Sequence, residues 1–327
     1  MAAKGGHLID TREASKLLGV TIHRVKQLID EHDIPIEKKP GRNTRIKLPN
    51  QAFRQLLKQR GLGYERSVVT VGQEKGGVGK SLLTFNLAVN LSFQGARVLI
   101  VDLDPEACIT NLIIRPKSDD GTFSTVFEVL KHDLQFKDVV ESTNYQGIDI
   151  VGCKGLARRA ERLVSDQNPK KILREKMSGL DHYDVIMFDI PPTFSRLISS
   201  AYLTSDLVLM PTFPDSWSIE SLQLTIDDIT EDCRQFDSEP PDIKILMNKF
   251  LSDRKASKDA LDVLSKNYGE YLLPYQIKES AALQNFVNNG VSLFEASGNL
   301  EIKDSFRSIC HLISPLESGL TEDRLES

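Results

Sequence analysis

Cysteine is scarce and scattered. The four residues in 327 are Cys108, Cys153, Cys233 and Cys310, with no Cys-x-x-Cys pair. That spacing excludes a zinc ribbon and a disulfide framework, and free cysteine behaves mostly as a small buried hydrophobe, so all four are expected to be reduced core residues. Long apolar runs are missing as well. Nothing approaches the roughly 18 apolar residues of a membrane span, and Met1 to Leu8 has no apolar signal core. A cytoplasmic protein with no membrane partner is expected. The six histidines show no metal-ligand spacing; His23 and His32, which share a helical pattern without acidic partners, are read as surface residues. The length allows two domains, or one α/β unit with a small appendage.

Positive charge is also in deficit, since 41 Lys+Arg against 46 Asp+Glu give a formal net charge of -5. The deficit is uneven. Met1 to Arg66 holds 14 basic and 7 acidic residues, or +7, which leaves -12 for the rest. A basic arm ahead of an acidic body points to nucleic-acid binding by the arm, provided the arm's residue pattern supports it.

Thr11 to Leu18 reads as a short helix with Thr11 as N-cap and Ala14, Leu17 and Leu18 at helical spacing. Gly19 is the turn, and a second helix begins at Thr21 with Ile22, Val25, Leu28 and Ile29 on its buried stripe. This is the helix-turn-helix pattern, whose second helix enters the major groove. His23, Arg24 and Gln27 then face outward, where phosphates and base edges would be met. Ile34 to Ile36 and Thr44 to Leu48 bracket a basic turn, a two-stranded ribbon that adds Lys38, Lys39, Arg42, Arg45 and Lys47 to the candidate DNA contacts. Pro49 to Gln59 follows as a third helix with Ala52, Phe53, Leu56 and Leu57 inward. Over Leu8 to Arg60 this order resembles the small winged-helix domain of the MerR and excisionase type. The resemblance implies a DNA-binding domain at 1–62 and a linker at 63–66; a protein-binding module on the same scaffold is the alternative.

Ser67 to Val71 is a β-branched run, followed by Gly72-Gln-Glu-Lys75-Gly76-Gly77-Val78-Gly79-Lys80-Ser81-Leu82, which opens into an apolar helix. In a strand, glycine loop and helix of this kind, backbone N–H groups surround a phosphate. Lys80 reaches the terminal phosphates and the Ser81 hydroxyl ligates Mg²⁺. The general pattern would place its first glycine at Glu74, and this chain departs from it by carrying a second lysine, Lys75.

Lys75 to Ser81 resembles the deviant phosphate loop of the ParA/MinD family of P-loop ATPases. Gly95 to Pro105 resembles that family's second strand and first switch, and Tyr183 to Pro192 its acidic strand end and second switch. The match runs from about Ser67 to Leu312 and implies an ATPase domain at 67–313, ahead of an acidic flexible tail at 314–327. By resemblance, ATP is held by Lys75, Gly76, Gly77, Val78, Gly79, Lys80, Ser81 and Leu82, with Asn248 reading the adenine and Pro274 beside it. The implied Mg²⁺ ligands are Ser81 and Asp189, and the implied catalytic residues are Lys75, Lys80 and Asp104. Asp189 ends a strand at the carboxyl edge of a parallel sheet, where it can hold the metal directly or through water. Asp104 is implied to orient the attacking water, and Asp102, two residues earlier on the same face, to support it. Lys75 is implied to reach the ATP of a partner subunit, in the manner of an arginine finger. Glu106 stands where the family usually has Gln.

Further strands at Ile148 to Val151, Asp206 to Pro211, Ile243 to Met247 and Leu272 to Ile277 alternate with helical stretches such as Ile219 to Cys233 and Lys255 to Asn267. The expected fold is therefore an α/β P-loop NTPase, its mainly parallel sheet covered by helices on both faces. Arg254, Lys255 and Lys258 are either a non-specific DNA face, as the resemblance implies, or an ordinary solvated helix.

The implied function is a Mg²⁺-dependent ATPase that partitions DNA or cargo. It would form a homodimer on ATP, bind DNA, associate with the nucleoid, respond to a ParB-like stimulator and repress its own operator. The alternatives are a nucleotide-sensing transcription regulator with little turnover, a synthase that activates a carboxylate, and a MinD-like positioning ATPase. The tail from Ser314 disfavours the last, because it is acidic and carries Pro315 and Gly319 where a basic amphipathic helix would be needed.

Overall fold

The computed structural model describes residues 8–38, 46–115, 121–154, 157–280, 283, 291–295 and 300–318. Among them, seven parallel strands form the central sheet, in the spatial order Leu272–Lys278, Asp242–Phe250, Leu207–Thr212, Ser67–Val71, Val185–Asp189, Val98–Asp102 and Ile148–Val151. Two short antiparallel strands, Glu141–Thr143 and Ile114–Arg115, extend one edge. The central strands are buried along almost their whole length because both faces are covered.

Alternate residues divide between two cores. On one face Val69, Val71, Ile100, Met187 and Leu209 meet Leu83, Leu87 and Leu91 of the helix Lys80–Phe93. On the other face Val68, Leu99, Val101, Ile186 and Phe188 meet Leu197 and Ala201 of Arg196–Thr204 and Leu222 and Ile226 of Ser216–Gln235. Register places Asp189 directly between Val71, where the glycine loop begins, and Asp102.

The N-terminal residues fold as helices Thr11–Leu17, Ile22–Glu31 and Asn50–Gln59 around a small sheet of Ile9–Asp10, Ile46–Leu48 and Glu37–Lys38. Three details differ from the sequence reading. The first arm of the ribbon is Glu37–Lys38 and not Ile34–Ile36, where Pro35 lacks the N–H a ladder needs, so Lys38 lies in the ribbon and not in its turn. Asp10, rather than Thr11, caps the first helix, its carboxylate accepting from the Arg12 and Glu13 amides at 2.9 Å. Ile22, expected on the buried stripe, is 41% exposed, because the first helical residue after the Thr21 cap projects beyond the packed face.

The expected linker and tail are corrected more substantially. Leu62–Tyr64 within and beside 63–66 is a strand, paired antiparallel with Leu316–Ser318 from the start of the supposed flexible tail. Residues 319–327 lie outside the described residues. The 1–62 segment shares one continuous core with the body. Its third helix lies against the turn at Gly95, where a Cβ would meet Leu57 and Phe53 at 3.2 Å, so only glycine permits the approach at φ +89°. Asn50 donates to the Ser92 and Ala96 carbonyls at 2.5 and 3.0 Å, and the Tyr64 hydroxyl donates to the Gln94 carbonyl at 2.6 Å. Arg54 grips Asp184 with both guanidinium nitrogens, at 2.5 and 3.1 Å, and Arg307 bonds Glu13 at 2.6 Å.

Both partners of the Arg54–Asp184 pair are nearly buried, at 13% and 10% side-chain exposure, so removing one strands a charge. Arg54→Ala is expected to lower the unfolding free energy of the whole chain by about 3 kcal/mol in chemical denaturation. An unchanged midpoint would mean that the N-terminal segment is docked without energetic consequence.

Candidate functional site

The phosphate loop begins where Ser67–Val71 ends. Gly77 and Gly79 have φ of +76° and +92°, a backbone that residues with a Cβ rarely adopt, and Gly79 caps the helix Lys80–Phe93. The helix N-terminus therefore opens, without a side-chain cap, onto a cavity of about 630 Å³. Unsatisfied N–H groups and the helix dipole make such an end a site for anions.

Several groups hold the loop in this shape. The buried Gln73 amide donates to the Ser218 carbonyl at 2.9 Å and to the Ser221 hydroxyl at 2.5 Å, which ties the loop to helix Ser216–Gln235. Asn248 donates from Nδ2 to the Val78 carbonyl at 2.8 Å and accepts the Lys249 amide at 2.9 Å. A Cβ on Gly79 would come within 2.6 Å of that same Nδ2. Lys80, 6% exposed, donates from Nζ to the Lys75 carbonyl at 3.1 Å. Burial holds the Lys80 ammonium below its ordinary value, while Asp189, Asp104 and Glu106 pull it back up.

Three carboxylates gather at the strand ends. Asp102 is fully buried and fully engaged: Oδ1 accepts the Asp104 amide at 3.0 Å, and Oδ2 accepts the Thr110 amide at 3.1 Å and its hydroxyl at 2.6 Å. Burial pushes Asp102 up to about 6, against those hydrogen bonds. Asp102 thus fixes the course of the first switch. Asp104 lines the cavity, with Oδ1 accepting the Glu106 amide at 2.9 Å. Asp189 accepts the Thr84 hydroxyl on Oδ1 at 3.1 Å, while its buried Oδ2 has no hydrogen-bond partner. Burial first, then the Asp102 charge, raises Asp189 well above the usual carboxylate range, against the nearby Ser81 and Thr84 hydroxyls. An orphaned, desolvated carboxylate oxygen beside a phosphate loop, with the Ser81 hydroxyl at the same place, is the donor set that suits a hard cation.

Of the residues expected at the ATP site, Gly76, Gly77, Gly79, Lys80, Ser81, Leu82, Asp104 and Asn248 line the cavity. Val78 is buried behind it and contributes its carbonyl to Asn248, and Asp189 lies beneath the loop. Lys75 lies at the loop entrance, outside the cavity lining. Pro274 does not reach the site, because it lies in the middle of strand Leu272–Lys278, whereas ligands gather at the carboxyl ends of such strands. Lys278, Glu279 and Ser280 at that end, with Lys249, Pro192 and Leu283, are lining residues the sequence reading did not place at the site; the strand-end rule would have found the first three. Cys108, expected in the core, is exposed at the cavity beside Glu106; the other three cysteines are buried.

The candidate DNA contacts occupy separate elements. His23 and Gln27 are exposed on helix Ile22–Glu31, and Arg24 bonds Glu31 at 2.8 Å. Lys47 is half-buried on Ile46–Leu48. Lys38 is on Glu37–Lys38, and Lys39, Arg42 and Arg45 lie outside the described residues. Arg254, Lys255 and Lys258 are exposed at the start of helix Lys255–Tyr268.

Fold and loop together define a P-loop NTPase. The AAA-domain family matches residues 66–239, more than half of the chain, and the chain belongs to that family as a ParA/Soj-type P-loop ATPase. The virulence plasmid ParA family protein pGP5-D of Chlamydia psittaci is 26% identical over 76% of this chain and 93% of its own. Among solved structures, an ATP complex of a Cyanothece McdA variant is similar in fold, with a TM-score of 0.68 and 19% identity over 79% of this chain and all of the other. A structure called Partition Protein has a TM-score of 0.70 and 18% identity over 95% of this chain and 93% of its own, so the similarity in fold extends into the N-terminal segment.

The hydrogen bonds of Asn248 make it a brace for the phosphate loop, using one of its two N–H groups and one of its two oxygen lone pairs. Asn248→Ala is expected to weaken ATP and inorganic tripolyphosphate, which has no base, alike by about tenfold in calorimetric titration. Loss confined to ATP, with a changed preference over GTP, would return Asn248 to base recognition.

Proposed function

We propose that this chain is a Mg²⁺-dependent ATPase of the partition type, which converts ATP to ADP and phosphate and uses a nucleotide-controlled homodimer to position DNA or other cargo. The observation that carries the reading is the orphaned Asp189 Oδ2 beneath a left-handed glycine loop, with Lys80 and Asp104 facing the same cavity. Ser81 and Asp189 would hold Mg²⁺, which when bound neutralises phosphate charge. Asp104 uses Oδ1 on the Glu106 amide and has Oδ2 left to orient a water. Lys80, largely desolvated by burial, reaches the terminal phosphates. Lys75, at the start of the loop, would act across an interface and complete the site of a second protomer.

The exposed face of helix Ile22–Glu31, with Lys47 and the basic residues Lys38, Lys39, Arg42 and Arg45, is the proposed operator-binding surface, and Arg254, Lys255 and Lys258 are the proposed sequence-independent DNA contacts of the ATP-bound dimer. A ParB-like protein would stimulate turnover, the operator contact would give autorepression, and the working location would be the cytoplasm, on the nucleoid. Among the described residues no helix is long and apolar enough to cross a membrane.

Lys80→Ala is expected to abolish ATP binding. Asp104→Ala keeps ATP bound, and its turnover falls about a hundredfold or more. An Asp104→Ala chain with wild-type turnover would overturn the catalytic assignment. Burial raises Asp189 above an ordinary carboxyl group and a metal ligand must be ionised, so Mg²⁺ affinity is expected to fall on acidification, starting at a higher pH than an ordinary carboxylate would give. Calorimetric titration of Mg²⁺ across pH reads this; an affinity that Asp189→Asn leaves unchanged at every pH would remove Asp189 from the metal site.

A further inference from the structure

A second cavity, of about 440 Å³, lies on the opposite side of the sheet from the phosphate loop. One wall is the face of helix Asn50–Gln59 carrying Gln51, Arg54, Gln55 and Lys58. The other is formed where strands begin, by Arg97, Gly147 and His182 just ahead of Val98–Asp102, Ile148–Val151 and Val185–Asp189. The chemistry of the lining is uneven. Among the described residues, Arg54, Lys58 and Arg97 face a single lining carboxylate, Asp149, which accepts the Tyr183 hydroxyl at 2.8 Å. A second carboxylate, Asp184, lies behind Arg54 and takes both its guanidinium nitrogens and the Arg97 amide.

Two further features favour an anion there. Helix Asn50–Gln59 begins at Pro49 with no side-chain cap and no acidic residue in its first turn, so its positive end is uncompensated at the cleft. The exposed Gln51 and Gln55 carboxamides, one turn apart on that face, make no hydrogen bond among the described residues. They are ready donors. Burial and then the Arg54 charge hold the Arg97 guanidinium below its ordinary value, against Asp184 and Asp149, and burial and then Arg97 lower His182, against Asp149 and Asp181.

We propose that this cleft binds a small phosphorylated ligand, with Lys58 on one side, Arg97 on the other and the Gln51 and Gln55 amides at its mouth, beside an Arg54 guanidinium already held by Asp184. Such a ligand touches both the N-terminal segment and the ATPase body, and so strengthens the docking of one on the other. The site is separate from the phosphate loop and does not depend on the ATPase reading.

The test is calorimetric titration of inorganic pyrophosphate into the full chain carrying Lys80→Ala, which removes the phosphate-loop lysine, and into the same chain with Gln51→Glu and Gln55→Glu added. Both glutamines are exposed, so the fold tolerates the change, and thermal melts of the two chains check this. The Lys80→Ala chain is expected to keep one pyrophosphate site, and the added glutamates to weaken it by at least about tenfold. No binding to the Lys80→Ala chain, or binding unaffected by the glutamates, overturns the proposal. Displacement of bound pyrophosphate by a short DNA duplex, with affinity likewise lost in the glutamate chain, overturns it in favour of a nucleic-acid contact.

Discussion

The helix Lys80–Phe93 is fixed at both ends, and everything else in the molecule is arranged around that constraint. At its start, Gly79 is locked against Asn248, and Lys80 reaches back to the loop carbonyl at Lys75. At its end, Ser92, Gln94 and Ala96 offer carbonyls to Asn50 and Tyr64 from the N-terminal segment. Between the ends it is buried on nearly every side, which a single helix achieves only when a sheet, a second helix and a docked segment all cover it. The same rigid rod therefore presents N–H groups to a phosphate and a seat to the N-terminal segment.

The electrostatics of the site are those of a cation receptor. Three aspartates are placed side by side by strand register and a short switch, and the sheet excludes the water that would otherwise solvate them. Asp102 is satisfied entirely by protein donors, so its cost of burial is offset locally and its role is to aim Asp104. Asp189 accepts the Thr84 hydroxyl on Oδ1 while Oδ2 has no hydrogen-bond partner, and in the proposed reading that difference separates support from ligand binding. An unsatisfied buried oxygen destabilises the fold that holds it, and a metal with its nucleotide is the partner whose chemistry repairs it.

Much of this was legible in the sequence, for identifiable reasons. The glycine loop and the Asp-ending strands are local signals: a left-handed turn needs Gly77 and Gly79, and a fully buried parallel strand reads as an unbroken β-branched run. The order of helices and ribbon in the N-terminal segment was legible from the same local spacing. What could not be read were long-range relations. The pairing of Leu62–Tyr64 with Leu316–Ser318 joins segments from opposite ends of the chain, and no local periodicity encodes it. The docking of Phe53 and Leu57 on Gly95 is invisible for the same reason, because their inward pattern says only that they are buried, not against what. For Asn248, position at a strand end suggests an amide facing the base; its donation to Val78 depends on a loop 170 residues earlier.

The central claim is that ATP controls the association of this chain with a second copy, through Lys75 at the mouth of the site. Sedimentation velocity of the wild-type chain in Mg²⁺ with ATP, with ADP and without nucleotide tests it most directly. The account predicts a dimer with ATP and a monomer in the other two conditions. Identical sedimentation in all three would contradict it.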